Sequence, residues 1–354
     1  MSTLEIVASF YIFMIAVCGI ATADPAAPPP PAPDATIIFK ANDANADAQA
    51  LRKAMKGWGT DENQIIQILG ARTGQQRAAI TAAYKTTLQR DLVKDIEGDT
   101  SGTFEDVLVY LTYSVEEYLA REINWALNKK DTYDYIDIIC ACEPNQIKSI
   151  KEAYLRVFKI SLPSDIEAHV NYIPTRMLLF LILGAGIDLP YRQDYEFKDK
   201  TIKSYVKSIP DNEDDCSSEK NGVFFTLMYK ESMRLIQTVV KQYNGDKSKD
   251  KSVTSKIEKY CKEPSLKRAY MTIASYAEDS ATYFATQLKN SMKGLGTTER
   301  TLDRVIIWRS EIDLVKVATA FQVLTKHSLE DWVKGDTAGD YEKILVALIR
   351  GNRA

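Results

Sequence analysis

The chain writes one unusual loop twice: Met55-Lys56-Gly57-Trp58-Gly59-Thr60 returns as Met292-Lys293-Gly294-Leu295-Gly296-Thr297. Residues 55–111 lie over 292–348 without a gap at an offset of 237, and 17 of 57 positions are identical. Of these identities, 11 fall in the two short segments 55–62 and 98–105, while the apolar positions between them are only similar in kind. A repeat kept in register over this length restricts the fold to an array of like units, because each unit buries its apolar face against its neighbours. Loops that match better than cores point to shared chemistry at the loops.

Apolar spacing predicts five helices in the first copy, over 46–56, 62–71, 73–89, 91–97 and 104–113, and no strands. The Gly57-Trp58-Gly59 break ends the first of them, Thr60 is expected to cap the second, and Thr73-x-x-Gln76 reads as a capping box for the third. Downstream, Ser310-x-x-Asp313 stands where that box stood, after the apolar run Val305, Ile306, Ile307. The 237-residue offset divided by three gives 79 per unit, so two further copies belong in between. The second unit carries an Ile138-Ile139 run and Pro144-x-x-Ile147, but its loop is Asn128-Lys129-Lys130-Asp131. The third has helical patterning over 202–209 and 224–233, interrupted by the acidic insert Asp211-Asn212-Glu213-Asp214-Asp215 and a polar insert over 244–251. The expected division is a repeat over 41–113, a degenerate repeat over 114–185, a linker over 186–200, a degenerate repeat over 201–278 and a repeat over 279–354.

A Gly-x-Gly loop leaving a helix end presents several backbone carbonyls, because few side chains block approach and the last helical carbonyls lack partners. Calcium takes six to eight oxygens, and carbonyls alone leave its charge uncompensated, so a carboxylate must come from elsewhere. Asp99 and Asp336 fit: each lies 44 residues after the Met of its loop, in Gly98-Asp99-Thr100-Ser101-Gly102 and Gly335-Asp336-Thr337-Ala338-Gly339. Alone, Gly-x-Gly is most often a helix end, and each Asp could cap the next helix. Their pairing at matched spacing, twice, favours calcium.

Met-Lys-Gly-x-Gly-Thr followed at this distance by Gly-Asp-Thr-x-Gly resembles the annexin repeat, strongly in units one and four. The resemblance implies an all-α fold of four annexin-like repeats of about five helices each, forming a curved disc with calcium on its convex face. Carried over by position, the ligands would be the carbonyls of Met55, Gly57 and Gly59 with Asp99, and those of Met292, Gly294 and Gly296 with Asp336. Thr60 with Glu62, and Thr297 with Glu299, match the family's weaker neighbouring calcium positions. The resemblance implies calcium-dependent binding to anionic, phosphatidylserine-like phospholipid, with oligomers on the membrane as an option. Trp58 and Leu295, each at the x of its loop, are expected to enter the lipid interface. Unit two lacks both glycines and places His169 at the acidic position, so no calcium is expected there.

A net charge of −3 gives no global attraction to nucleic acid, and none is expected as a partner. Residues 6–20 are almost all apolar and Ala21-Thr22-Ala23 offers a small-x-small cleavage pattern, so 1–23 reads as a secretory signal and 24–40 as a Pro/Ala-rich tether. The first five residues carry no Lys or Arg, which leaves a cytoplasmic location as the alternative. Of the four cysteines after the signal, Cys140 and Cys142 lack the spacing of a zinc or redox motif, and buried thiols and a Cys216–Cys261 bridge are equally compatible with the rest. Only His169 and His327 exist, and no nucleophile elbow, phosphate loop or zinc-protease motif is written, so the chain is not expected to be an enzyme. A secreted, calcium-independent scaffold or receptor ligand, reaching a protein partner through the acidic insert, is the alternative reading.

Overall fold

The computed structural model describes residues 32–129, 132–184, 192, 194–216, 221–246, 251–294 and 296–353. The signal segment, residues 24–31 of the tether and Leu295 lie outside them. Among the described residues there are helices and no strands, and the helices fall into four sets of five. Unit one is α1 (Ala44–Ala54), α2 (Glu62–Leu69), α3 (Gly74–Leu88), α4 (Leu92–Asp99) and α5 (Gly102–Thr112). Unit two is α6 (Val115–Leu127), α7 (Asp134–Cys140), α8 (Pro144–Phe158), α9 (Leu162–His169) and α10 (Ile173–Ile182). Unit three is α11 (Asp199–Lys207), α12 (Gly222–Lys230), α13 (Met233–Gly245), α14 (Val253–Tyr260) and α15 (Pro264–Glu278). Unit four is α16 (Ser280–Ser291), α17 (Glu299–Ser310), α18 (Leu314–Thr325), α19 (Leu329–Asp336) and α20 (Gly339–Arg350).

Local chemistry sets most of the boundaries. Thr73 and Gln76 form the expected reciprocal capping box at α3, and Glu143 with Gln146 forms another at α8, where Pro144 occupies a first-turn position that needs no N–H partner. Two cap expectations are corrected. Asp61, not Thr60, caps α2 by accepting from the Gln64 N–H. Ser310 is the buried last residue of α17 rather than the start of a capping box, and its hydroxyl donates back to the Ile307 carbonyl.

In units one, two and four the third helix is tied to the middle of the fourth. In units one and two a tyrosine does this: Tyr84 on α3 donates to Asp95 on α4, and Tyr154 on α8 donates to Asp165 on α9. At the corresponding places in unit four stand Phe321 and Trp332, whose rings meet edge to face at 5.2 Å. A polar tie and an aromatic one therefore do the same positioning work.

The units close on one another in pairs. Helix α20 packs on α2 and α5, joining units four and one; α15 packs on α7 and α10, joining units three and two; α17 meets α6 between the pairs. That last contact carries charge: Arg300 pairs with Glu122 at 2.7 Å, and the buried Arg304 lies 3.2 Å from Asp134. Units one and four are also fastened by residues 34–38, of which Ala35, Thr36 and Ile37 are buried. Thr36 and Ile37 donate their N–H groups to the Ser310 carbonyl, and Asn352 bonds both to Ile38 and to the Ala71 carbonyl. Gly351, at φ +70°, lets this strap cross, since a side-chain carbon there would run into the Thr36 carbonyl.

Candidate metal centre

The loop after α1 and the loop after α16 are built alike. Each is closed by one long backbone bond, Asp61 N–H to Ala54 O at 2.9 Å and Thr298 N–H to Ser291 O at 2.7 Å. Between these ends the glycines take positive φ: +115° and +82° at Gly57 and Gly59, +112° and +93° at Gly294 and Gly296. A side chain at any of the four would meet nothing within 4 Å, so glycine is required by the backbone turn and not by crowding. Among the described residues, no hydrogen bond ends on the carbonyls of Met55, Gly57, Gly59, Met292, Gly294 or Gly296.

The distant aspartates come to these loops. Asp99 closes α4 and Asp336 closes α19, and each following helix starts at a glycine of positive φ, Gly102 at +67° and Gly339 at +66°. The Thr60 hydroxyl donates to the Asp99 carbonyl at 3.0 Å. Thr297 does the same to Asp336 at 3.3 Å, and its hydroxyl also lies 2.5 Å from the Asp336 carboxylate. Neither Asp99 nor Asp336 forms an ion pair among the described residues, and the threonine bonds hold each aspartate beside its glycine loop. Together, such carbonyls and one carboxylate would make a hard, oxygen-only donor set of one negative charge, of a kind that suits calcium. No cluster of three or more His, Cys, Asp or Glu side chains is found among the described residues. Glu62 and Glu299 open α2 and α17 beside the loops, next to Thr60 and near Thr297. Trp58 is completely exposed at 106% of its reference area, although large aromatic rings usually find cover. Its partner by position, Leu295, lies outside the described residues.

The middle units have replaced this arrangement in two ways. In unit two, His169 ends α9 at the position equivalent to Asp99, and its Nδ1 faces inward to the Asp165 carbonyl at 2.9 Å and the Asp165 carboxylate at 3.2 Å. In unit three Cys216 and Cys261 form a disulfide, one cysteine from the first interhelical loop and the other directly after α14. It joins the same two loops that Thr60 and Asp99 join in unit one. The acidic insert beside it is largely occupied internally: Asp211 pairs with Lys256, Glu213 with Lys262, and the Asp215 carboxylate accepts from the Asp211 and Asn212 N–H groups. Cys140 and Cys142 stay free and fully buried, and burial pushes the Cys140 thiol up to about 12. The bridge was one of two equal readings of the sequence, because a sequence separation of 45 does not reveal which loops meet.

The sequence model of the family described as Annexin matches residues 46–111 and 283–348, the two units that keep the glycine loop and its aspartate. Human annexin A4 is 33% identical over 315 residues, covering 87% of this chain and 95% of its own length. Dog annexin A13 is 35% identical over 310 residues with the same coverage, 87% and 95%. Among solved structures, chicken annexin V in complex with Zn2+ superposes with a TM-score of 0.81 at 28% identity, over 90% of this chain and 99% of its own. Calcium-bound annexin (Sm)1 gives a TM-score of 0.74 at 27% identity, over 89% and 92%.

Proposed function

Because the chain belongs to the annexin family, we propose that units one and four bind calcium and that the bound ions attach the protein to anionic phospholipid. The carbonyls of Met55, Gly57 and Gly59 with the Asp99 carboxylate would hold one ion, and those of Met292, Gly294 and Gly296 with Asp336 the other. The observation that supports this reading is the repetition, in both units, of a threonine hydroxyl that ties the aspartate to a glycine loop whose carbonyls accept no hydrogen bond among the described residues. Calcium supplies positive charge and open coordination positions for a lipid phosphate, which lets a chain of net charge −3 approach an anionic surface. Thr60 and Thr297 hold the aspartate to its loop, and Glu62 and Glu299 stand ready for weaker neighbouring ions. With one carboxylate per site, affinity for free calcium falls near the ~10⁻⁴ M of extracellular modules. Trp58 enters the headgroup layer as calcium docks the first unit.

No helix among the described residues is long and apolar enough to cross a membrane, in keeping with peripheral attachment. The Cys216–Cys261 bridge supports secretion, since disulfides persist in oxidising compartments; N-terminal sequencing of the natural protein checks this, with a start at Asp24 expected. Cosedimentation with vesicles of phosphatidylserine and phosphatidylethanolamine tests the main proposal. Sedimentation should require calcium and vanish in the Asp99→Ala/Asp336→Ala double variant. Binding that survives chelator, or a double variant that still sediments, rejects the calcium bridge.

A further inference from the structure

Unit two has lost the calcium pattern, yet its two counterpart loops enclose a cavity of about 580 Å³, within the size range of small-ligand sites. The residues that line it are unlike those of a metal site. Tyr133 comes from the loop before α7, Tyr135 from the first turn of α7, Tyr172 from the loop after α9, Lys129 from the start of the loop after α6, and Glu263 from the start of α15 in unit three. His169 forms part of the wall, but its Nδ1 is committed to Asp165. An imidazole tied to Asp165 thus stands where units one and four carry an aspartate.

We propose that this cavity takes a phosphocholine group. A quaternary ammonium cannot donate hydrogen bonds and is held by the faces of several aromatic rings with a carboxylate nearby. Tyr133 and Tyr135 supply rings from the start of α7 and Tyr172 from the loop after α9, and Tyr133 and Tyr172 keep 38% of their area exposed at the mouth. Glu263 uses Oε2 to cap α15, accepting from the Leu266 N–H at 2.6 Å and the Ser265 hydroxyl at 2.8 Å. One carboxylate oxygen is thereby fixed in place, and the charge of the group remains beside the rings. Lys129 stands at the same wall with its ammonium 5.8 Å from the Trp125 ring centroid, a cation for the phosphate. A lining that holds, among the described residues, the cation Lys129, the anion Glu263 and three tyrosines matches a zwitterion better than a simple anion, which Glu263 would repel. The inference does not depend on calcium at units one and four.

The test is titration of the full chain with phosphocholine in the presence of a calcium chelator, followed by the chemical shifts or fluorescence of the cavity tyrosines. Free phosphocholine should bind, and phosphatidylcholine vesicles should compete with it if the group is read from lipid; saturation by the free compound without vesicle competition assigns the site to a soluble phosphocholine compound. Tyr133→Ala and Tyr172→Ala should each weaken binding about three- to tenfold, the range expected for one ring of a cation–π cage. Glu263→Gln preserves the helix cap and should weaken phosphocholine while leaving inorganic phosphate unaffected or stronger. The Asp99→Ala/Asp336→Ala variant should bind phosphocholine as the parent does, which separates this site from the calcium sites. Equal affinity for inorganic phosphate and phosphocholine, binding only when calcium is present, or no response to Tyr133→Ala would each overturn the proposal.

Discussion

The Thr60 hydroxyl bonds to the Asp99 carbonyl across 39 residues of sequence, and Thr297 reaches Asp336 across the same 39. One hydroxyl in each unit thus sets the distance between the carbonyl loop and its carboxylate. Thr60→Val keeps the shape and removes that bond. Loss of one exposed hydrogen bond is worth about 1 kcal/mol, so calcium affinity at unit one should fall roughly fivefold with little change in melting temperature. Calorimetric titration of calcium into Thr60→Val, with Asp336→Ala in the background to silence unit four, measures it.

Trp58 has no fold to support, being fully exposed. Trp58→Ala should leave stability within about 0.5 kcal/mol of the parent while weakening attachment to anionic vesicles. The other tryptophans, Trp125, Trp308 and Trp332, are buried or half-buried. Tryptophan emission should accordingly shift to the blue only when calcium and vesicles are both present, and the shift should disappear in Trp58→Ala.

Both parts of the candidate site are legible in sequence because they sit in loops whose residue types follow from backbone conformation and, in the proposed reading, from ligand chemistry. Positive φ demands the glycines, and the proposed hard cation would demand the aspartates, which accounts for these positions repeating where the cores have drifted. The helix count followed from apolar spacing. What escaped was the identity of caps and ties, because several side chains compete for one local role: Asp61 and Thr60 are adjacent candidates for the α2 cap, and the structure assigns one to the helix and the other to Asp99. The cavity of unit two was also invisible, since Tyr133, Tyr172 and Glu263 lie in three separate segments with no common spacing.

The Cys216–Cys261 bridge closes a separation of 45 residues in unit three. Replacing both cysteines by serine should cost about 2–4 kcal/mol of stability through the freed unfolded chain. Calcium-dependent sedimentation should persist, because the bridge touches neither glycine loop. Chemical denaturation with and without reductant checks the first statement, and vesicle binding checks the second.

Glu330 supplies a pH handle. Hydrogen bonds from Arg350, at 2.6 and 3.0 Å, and from Lys334 at 2.5 Å draw its carboxyl down to about 2 from an ordinary 4.5. A carboxyl depressed on folding stabilises the native state above its unfolded value and loses that contribution as pH falls from about 4.5 toward 2. In chelator, melting temperature followed from pH 6 to pH 2 should therefore fall less steeply for Glu330→Gln than for the parent. The group is partly exposed and screened, so the difference should shrink in high salt.

The strap over 34–38 and the packing of α20 on α2 change what kind of array this is. An open solenoid presents two raw end faces that must be covered by special terminal repeats, and an uncovered face invites another copy to stack. Here unit one and unit four cover each other, with Asn352 bonded to Ile38 on one side and to Ala71 on the other. The two ends act as one another's lids, so growth by stacking a fifth unit is blocked and the number of units is capped at four without any dedicated end repeat.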